Sequence, residues 1–462
     1  MAHPEFGGGP SDAAQPGDRQ QQLQGADVGD PRRERHRARL CPHRSWTATG
    51  RTARGGGCWH AHPHHRTAPR PRPGSAAAAP APPADHRSTD RTGAPARPGL
   101  GRLGPNWYAA VMGTAIVATG ATAVPVGLPG RTGFAAVVWL VAVAALAAVA
   151  AARAVQLVRH PGAVRAQLLD ELATAVFQGC PPMALLAVGH ATLVAGAPVL
   201  GTRAAVTADL VLWCAGALYA VAVAAGVPYL MITRHRIPAR EANPTWLLPA
   251  VAPLVAASAG SALVPHLPEP WRPVLLYAGC GLFGAGLFGV ALVLPVVFAG
   301  LVHGRLAPVL TPSLFLVLGP LGQSTTAAGG LADAARTAAP ALAGPGRALS
   351  VLYGVAVLGF ALLWLVPAVA ANVRALRSKM PFAMTWWAFT FPVGTLVTGA
   401  AALARHTGFG GFAGLSAALY ALLLAAWAVA AVRTAAALPA TLRAGAAPRP
   451  EAADAPEPVR NP

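Results

Sequence analysis

Charge is the scarcest commodity in this chain. Of 462 residues only 11% are charged, against about 25% in soluble domains. The length would suit three average soluble domains, but so few charges cannot coat their surfaces. Acids are rarer than bases, 17 against 36, for a net charge of +19. Lysine is almost missing: Lys379 is the single one, and arginine carries the rest, as the Ala, Gly and Pro usage of a GC-rich genome would have it. The five cysteines form no framework. Cys41 and Cys58 lie in a polar head, and Cys180, Cys214 and Cys280 in apolar runs, an odd count without the spacing of a disulfide scaffold. What the chain has in abundance is apolar surface, 54% of residues, with a mean hydropathy of +0.45. It reads as a multi-span membrane protein whose first partner is the lipid bilayer. A basic chain also suggests nucleic acid. Here the excess sits in short loops between apolar stretches, which positive-inside orientation explains better, so no nucleic-acid partner is expected.

Residues 1–104 are a different material, rich in Gly, Pro, Ala, Arg and His and almost without aliphatic runs. Such a segment cannot bury enough apolar surface to offset its ordering entropy, so a disordered head is expected, and a disordered tail over 441–462. PRRERHRARL holds a twin-arginine pair, but no apolar stretch follows it as an export signal would need. The head also fits translation from upstream of the true start, since its residues look like codon bias. From Asn106 the texture changes. Ten apolar stretches of about 20 residues, enough to cross a bilayer, run approximately 107–128, 133–157, 173–195, 204–232, 245–265, 273–300, 309–330, 348–372, 383–404 and 411–437. They are too long and continuous for barrel strands, and lipid tolerates only helices or closed barrels. The fold class is therefore all-α, an integral membrane domain over 105–440. The loops on one side would carry 13 basic residues, among them Arg153, Arg234, Arg240, Arg374 and Lys379. The other side would carry six, Arg131, Arg203, Arg272, Arg336, Arg347 and Arg405. Both termini are then expected in the cytoplasm.

Helix breakers alternate along the runs. The third, fifth, seventh and ninth contain Pro181-Pro182, Pro249 and Pro253, Pro312 with Gly319-Pro320, and Pro392 with Gly394, while the first has Gly113 and Gly120. Proline inside a helix removes a hydrogen bond, which a membrane tolerates where protein or a water-filled cavity resolves it. The odd-numbered helices could thus surround a path. Equally, Gly and Pro are common in membrane helices, and Pro295 and Pro367 fall in even-numbered runs. The residues alone leave both open.

Four segments carry a more specific signal: NWYAAVMGTAIVATG (106–120), NPTWLLPAVAPLVAASAG (243–260), LGPLGQSTTAA (318–328) and PFAMTWWAFTFPVGTLVTGA (381–400). Their order and spacing over residues 105–440 resemble the tellurite-resistance/dicarboxylate transporter family, which takes in malic acid transporters, sulfite efflux pumps and slow anion channels. The resemblance implies ten transmembrane helices as five helical hairpins around a central pore, odd helices inside and even ones outside, in a homotrimer at the plasma membrane. It implies a pore gate on Phe391, just before Pro392. Phe389, two residues earlier, would face elsewhere, about 200° round the helix. Thr114, Pro182, Pro253, Gln323, Ser324, Thr325 and Pro392 are the candidate pore-lining residues. The hydroxyls and amide of 323–326, like Thr114 and Thr119, could solvate an anion or bond neighbouring helices. His190 is the one histidine well inside a run, and such a residue more often bonds a neighbouring helix than carries protons.

Acids are missing where a cation path would need them. None lies between Asp333 and Glu451, and Glu241 and Glu269, the two between Asp209 and Asp333, fall in loops. That disfavours cation transport and a carboxylate proton relay. The expected substrate is a small anion: a C4-dicarboxylate such as malate, or an inorganic anion, with sulfite or tellurite-related efflux as the alternative. The lack of an arginine clamp leans toward monovalent species. No cofactor or metal is expected. Gly279–Gly284 matches a dinucleotide-binding spacing, but no strand precedes it. Cys41, His43, Cys58, His60, His62, His64 and His65 fit no structural zinc pattern. An enzyme would need a nucleophile or an acid–base pair near one membrane face. Only His190 and the adjacent Asp170-Glu171 offer themselves, without usable spacing. A sensor working through the arginine-rich head is the remaining alternative. Deleting residues 1–100 should leave transport unchanged in reconstituted vesicles, whereas a sensor would fail.

Overall fold

The computed structural model describes residues 103–443, apart from 128, 236–237 and 305. Nearly all of the expected head, with its Cys41–His65 group, and the tail beyond 443 lie outside the described residues. Every regular element among the described residues is helical. Ten helices follow the expected runs in order. They are α1 (Tyr108–Ala123), α2 (Arg131–Arg159), α3 (Leu172–Leu200), α4 (Thr202–Thr233), α5 (Pro244–His266), α6 (Trp271–His303), α7 (Leu318–Ala338), α8 (Pro340–Arg377), α9 (Met384–Thr407) and α10 (Gly410–Leu438).

Eight of these are long and apolar enough to cross a membrane; α1 and α7 are the exceptions. α1 has 16 residues, a length of about 24 Å. α7 carries Gln323, Ser324, Thr325, Thr326, Asp333 and Arg336. Burial explains why they can depart from the rule. α1 is buried almost continuously from Val111 to Ala121, and α7 over most of its length. Of the most apolar stretch of α5 and of α9, 89% is buried, against 22% to 28% for α2, α4, α6, α8 and α10. The helices therefore sort into an inner set (α1, α3, α5, α7, α9) and an outer set whose exposed faces are Val, Leu and Phe. A helix screened from lipid by its neighbours need not be apolar all round.

The prolines of the inner set sit at a particular place. Each inner helix has 3₁₀ geometry just before its long α-helical part: Pro105–Trp107, Val176–Gly179 (after a single α-turn, Leu172–Ala175), Pro244–Trp246, Pro308–Val317 and Met384–Phe389. Pro181-Pro182 and Pro392 fall in the first turn of the α-helical parts that follow. There a missing N–H breaks no helical bond. Read from the sequence as central breakers, they are helix starts. Pro253 alone of these interrupts its α-helix from within.

Backbones of the inner helices approach closely where glycine permits. A methyl group on Gly322 of α7 would lie 2.5 Å from the backbone carbon of Thr395 in α9, and one on Gly179 of α3 the same distance from that of Leu248 in α5. Outer connections are lighter: Asp170, just before α3, pairs with Arg234 at the end of α4 at 2.8 Å, both exposed. Such a pair contributes little. Gly322→Ala should destabilise the fold by about 1–3 kcal/mol through overpacking, read as a lower thermal midpoint in detergent. Gly281→Ala on the open face of α6, where nothing lies within 4 Å, should be neutral or slightly stabilising.

Candidate functional site

Two small cavities lie where the five inner helices meet. The first is lined by Met112, Cys180, Leu248, Leu316 and Ala388 among others, and the second by side chains further along the same five segments. In every segment the residue number rises from the first cavity to the second, so all five run side by side in one direction. Their volumes are about 20 and 30 Å³. A cavity needs about 10–15 Å³ of such space to hold one water, so each has room for a water or two and neither for an anion with its hydration shell.

The second cavity is built in two layers. Ile116, Leu186, Val255 and Phe391 give it apolar walls toward the first cavity. One or two turns further along come Thr119, His190, Ser258, Thr326 and Thr398, one polar side chain from each inner helix. Gln323 joins them. No carboxylate, arginine or lysine lines either cavity. The hydroxyls are held in place: Thr326 and Thr398 share a 2.7 Å hydrogen bond across α7 and α9, Thr326 Oγ1 donates to the Gly322 carbonyl at 2.9 Å, and Thr119 Oγ1 donates to that of Ala115 at 3.3 Å. His190 Nδ1 is buried and has no partner among the described residues.

Phe391 stands between the cavities along α9: Ala388, one turn earlier, lines the first, and Thr398 lines the second. Its side chain is buried. The neighbouring aromatics are all engaged. Phe389 packs edge-on against Phe315 at 4.9 Å and against Trp386 at 6.1 Å, and Trp387 Nε1 donates to Thr434 at 3.0 Å. Phe391 has no aromatic partner among the described residues.

Of the residues singled out from sequence, Phe391, Gln323, Thr119, His190 and Thr326 line the second cavity, whereas Thr114, Pro182, Pro253, Ser324, Thr325 and Pro392 turn elsewhere. Thr114 Oγ1 donates to the Ala110 carbonyl at 2.8 Å and accepts from Trp427 on α10 at 3.2 Å. Ser324 Oγ donates to the Leu321 carbonyl. Thr325 turns its methyl toward Gly354 and Gly399, the Pro182 carbonyl faces Gly216 on α4, and Pro392 packs by Gly319. Pro253 is buried within α5, outside both linings. Ser258 and Thr398 were not singled out. For Thr398 a signal existed, because it lies seven residues after Phe391, on the same helix face. Gly279–Gly284 lies within α6, where a methyl on Gly279 would press on Leu331.

Asp209 of α4 is fully buried, and neither oxygen has a partner among the described residues. It sits against Gly189 of α3, outside both cavity linings.

Comparison with known proteins bears on the family of the chain. Residues 102–435 match the family described as voltage-dependent anion channel. Two uncharacterised transporters of Methanocaldococcus jannaschii are 25% and 26% identical, each over 71% of this chain and 93% and 92% of their own. A sulfite efflux pump of Arthroderma otae is 29% identical over 64% of this chain and 80% of its own. In a variant that keeps Cys180 as its one thiol, a water-soluble thiol reagent should leave the resting protein unmodified. Labelling at the rate of a surface thiol would contradict the closed geometry.

Proposed function

The chain belongs to the voltage-dependent anion channel family, anion channels and transporters rather than enzymes, and on that premise we propose that it passes small inorganic oxyanions, sulfite foremost, along the axis of its five inner helices. The observation that carries this is the collar of Thr119, His190, Ser258, Thr326 and Thr398, five polar side chains from five helices around one point. Threonine hydroxyls that rotate away from their backbone carbonyls, with the Gln323 amide and the His190 N–H, replace hydration water around an anion without holding it too tightly to leave. A C4-dicarboxylate with two fixed charges asks for a cationic clamp. Without arginine or lysine in the lining, malate stands second. The sulfite pumps among the relatives support the same order.

Phe391 is the gate. Its ring, unpaired with any other aromatic among the described residues, closes a narrow apolar neck against water and ions, and the path opens when it swings aside. α1 and α7 cross the membrane with the other eight, completing five hairpins, each of one inner and one outer helix. Their deep burial supports this, since a screened helix needs neither full length nor full apolarity. The arginine bias of the loops supports an orientation with both termini in the cytoplasm, in the plasma membrane. The family resemblance supports a trimer with one path per subunit. The 1–104 head takes no part in conduction.

Flux into vesicles holding purified protein tests the proposal, with sulfite, nitrate, chloride and malate compared. Phe391→Ala should raise sulfite flux at least about tenfold, equivalent to ~1.4 kcal/mol off the barrier, and Thr398→Val in that background should lower it again. Saturable malate uptake that follows a pH gradient and is abolished by Phe391→Ala would instead mean a coupled carrier without a gate there.

A further inference from the structure

At the end of the bundle where α7 and α9 finish and α8 begins lies a wide basic pocket of about 870 Å³, lined by Arg336, Arg347 and Arg405 with Asp333 and His406. Three arginines face one carboxylate. The acid is already engaged: His406, itself buried, meets Asp333 Oδ1 at 3.0 Å through Nε2 and Ser350 Oγ at 3.1 Å through Nδ1. Arg347 Nε donates to the His406 carbonyl at 3.1 Å, and its Nη2 donates to the same oxygen. One guanidinium is thus fixed in advance. Arg336 and Arg405 are exposed and carry no hydrogen bond among the described residues.

An apolar groove of about 400 Å³ adjoins this pocket on the outer surface, between α6, α7 and α8. Cys280, Phe283, Leu331, Leu349 and Tyr353 form its walls. The two share Ala332, and Ser350 of the groove bonds His406 of the pocket. A free oxyanion would use the arginines and leave the groove idle. A molecule with a phosphate at one end and a hydrocarbon chain at the other fills both. By the loop charges the pocket opens away from the cytoplasm, so its lipid comes from the outer leaflet, and each guanidinium near that surface attracts an anionic head group.

We propose that the Arg336–Arg347–Arg405 pocket binds the phosphate of an anionic phospholipid, with one acyl chain lying in the groove between α6, α7 and α8. The site is separate from the axial path and does not depend on what passes through it. Because α7 and α9 both line the path and end in this pocket, an occupied site ties together the ends of two path-lining helices.

Thermal unfolding of the full chain in detergent tests the site. Long-chain phosphatidylglycerol should raise the midpoint by a few degrees in a saturable way. Phosphatidylcholine, inorganic phosphate and a six-carbon-chain phosphatidylglycerol should shift it far less. Arg336→Gln combined with Arg405→Gln should abolish the phosphatidylglycerol shift while keeping the lipid-free midpoint, as both side chains are exposed. Arg203→Gln, on a different surface, should keep the shift. An equal shift with phosphatidylcholine would overturn the role of charge, and an equal shift with phosphate or the short-chain lipid would overturn the role of the groove. A full shift in the double variant would overturn the assignment to these arginines, and so would loss of the shift in Arg203→Gln.

Discussion

A hydroxyl group in hydrocarbon has no water to bond, so it must find its partner inside the protein. That constraint organises the molecule. The five inner helices turn most of their polar side chains toward one another, and five more apolar helices stand outside as a screen. Thr326 bonds Thr398, Thr395 donates to the Gly319 carbonyl at 3.2 Å, and Ser416 donates to that of Val397 at 3.0 Å. Glycines at 179 and 322 let the inner backbones come close enough for such short side chains to reach. On the axis itself the Nδ1 of His190 has no partner among the described residues.

The same constraint decides which ion suits the axis. The lining offers donors and no fixed charge. A cation would meet no carboxylate to offset its lost hydration, whereas an anion meets several neutral donors and an electropositive chain around it. Neutral donors also release their guest more readily than an arginine pair would, as conduction requires. Fixed positive charge is instead gathered at the rim, in the Arg336–Arg405 pocket, away from the narrow part of the path.

The outer helices were legible in the sequence because lipid demands long, continuous apolar runs, and the runs expected at 133–157 and 273–300 became Arg131–Arg159 and Trp271–His303. The inner helices were less so. α1 and α7 are freed from that demand by burial, and their composition drifts toward Gly, Thr and Gln. The prolines of α3 and α9 were visible, yet their position at the first turn after a 3₁₀ stretch depends on tertiary packing that local sequence does not encode. Of the axial residues, Phe391 was named through the family resemblance, and Thr119, His190, Gln323 and Thr326 through their polarity within apolar runs. Ser258 and Thr398 look like ordinary small polar residues until five helices are set around one axis. The polar cluster at 323–326 divides for the same reason: successive residues point about 100° apart, so Gln323 and Thr326 share the axial face while Ser324 and Thr325 pack outward.

The central claim is that an anion rests at the collar beyond Phe391. Selenite, a heavier analogue of sulfite, would locate it by anomalous scattering in crystals of the Phe391→Ala protein. The account predicts one selenium peak on the axis, enclosed by Thr119, Ser258, Thr326 and Thr398. Selenium found at the arginine pocket with none on the axis would contradict it.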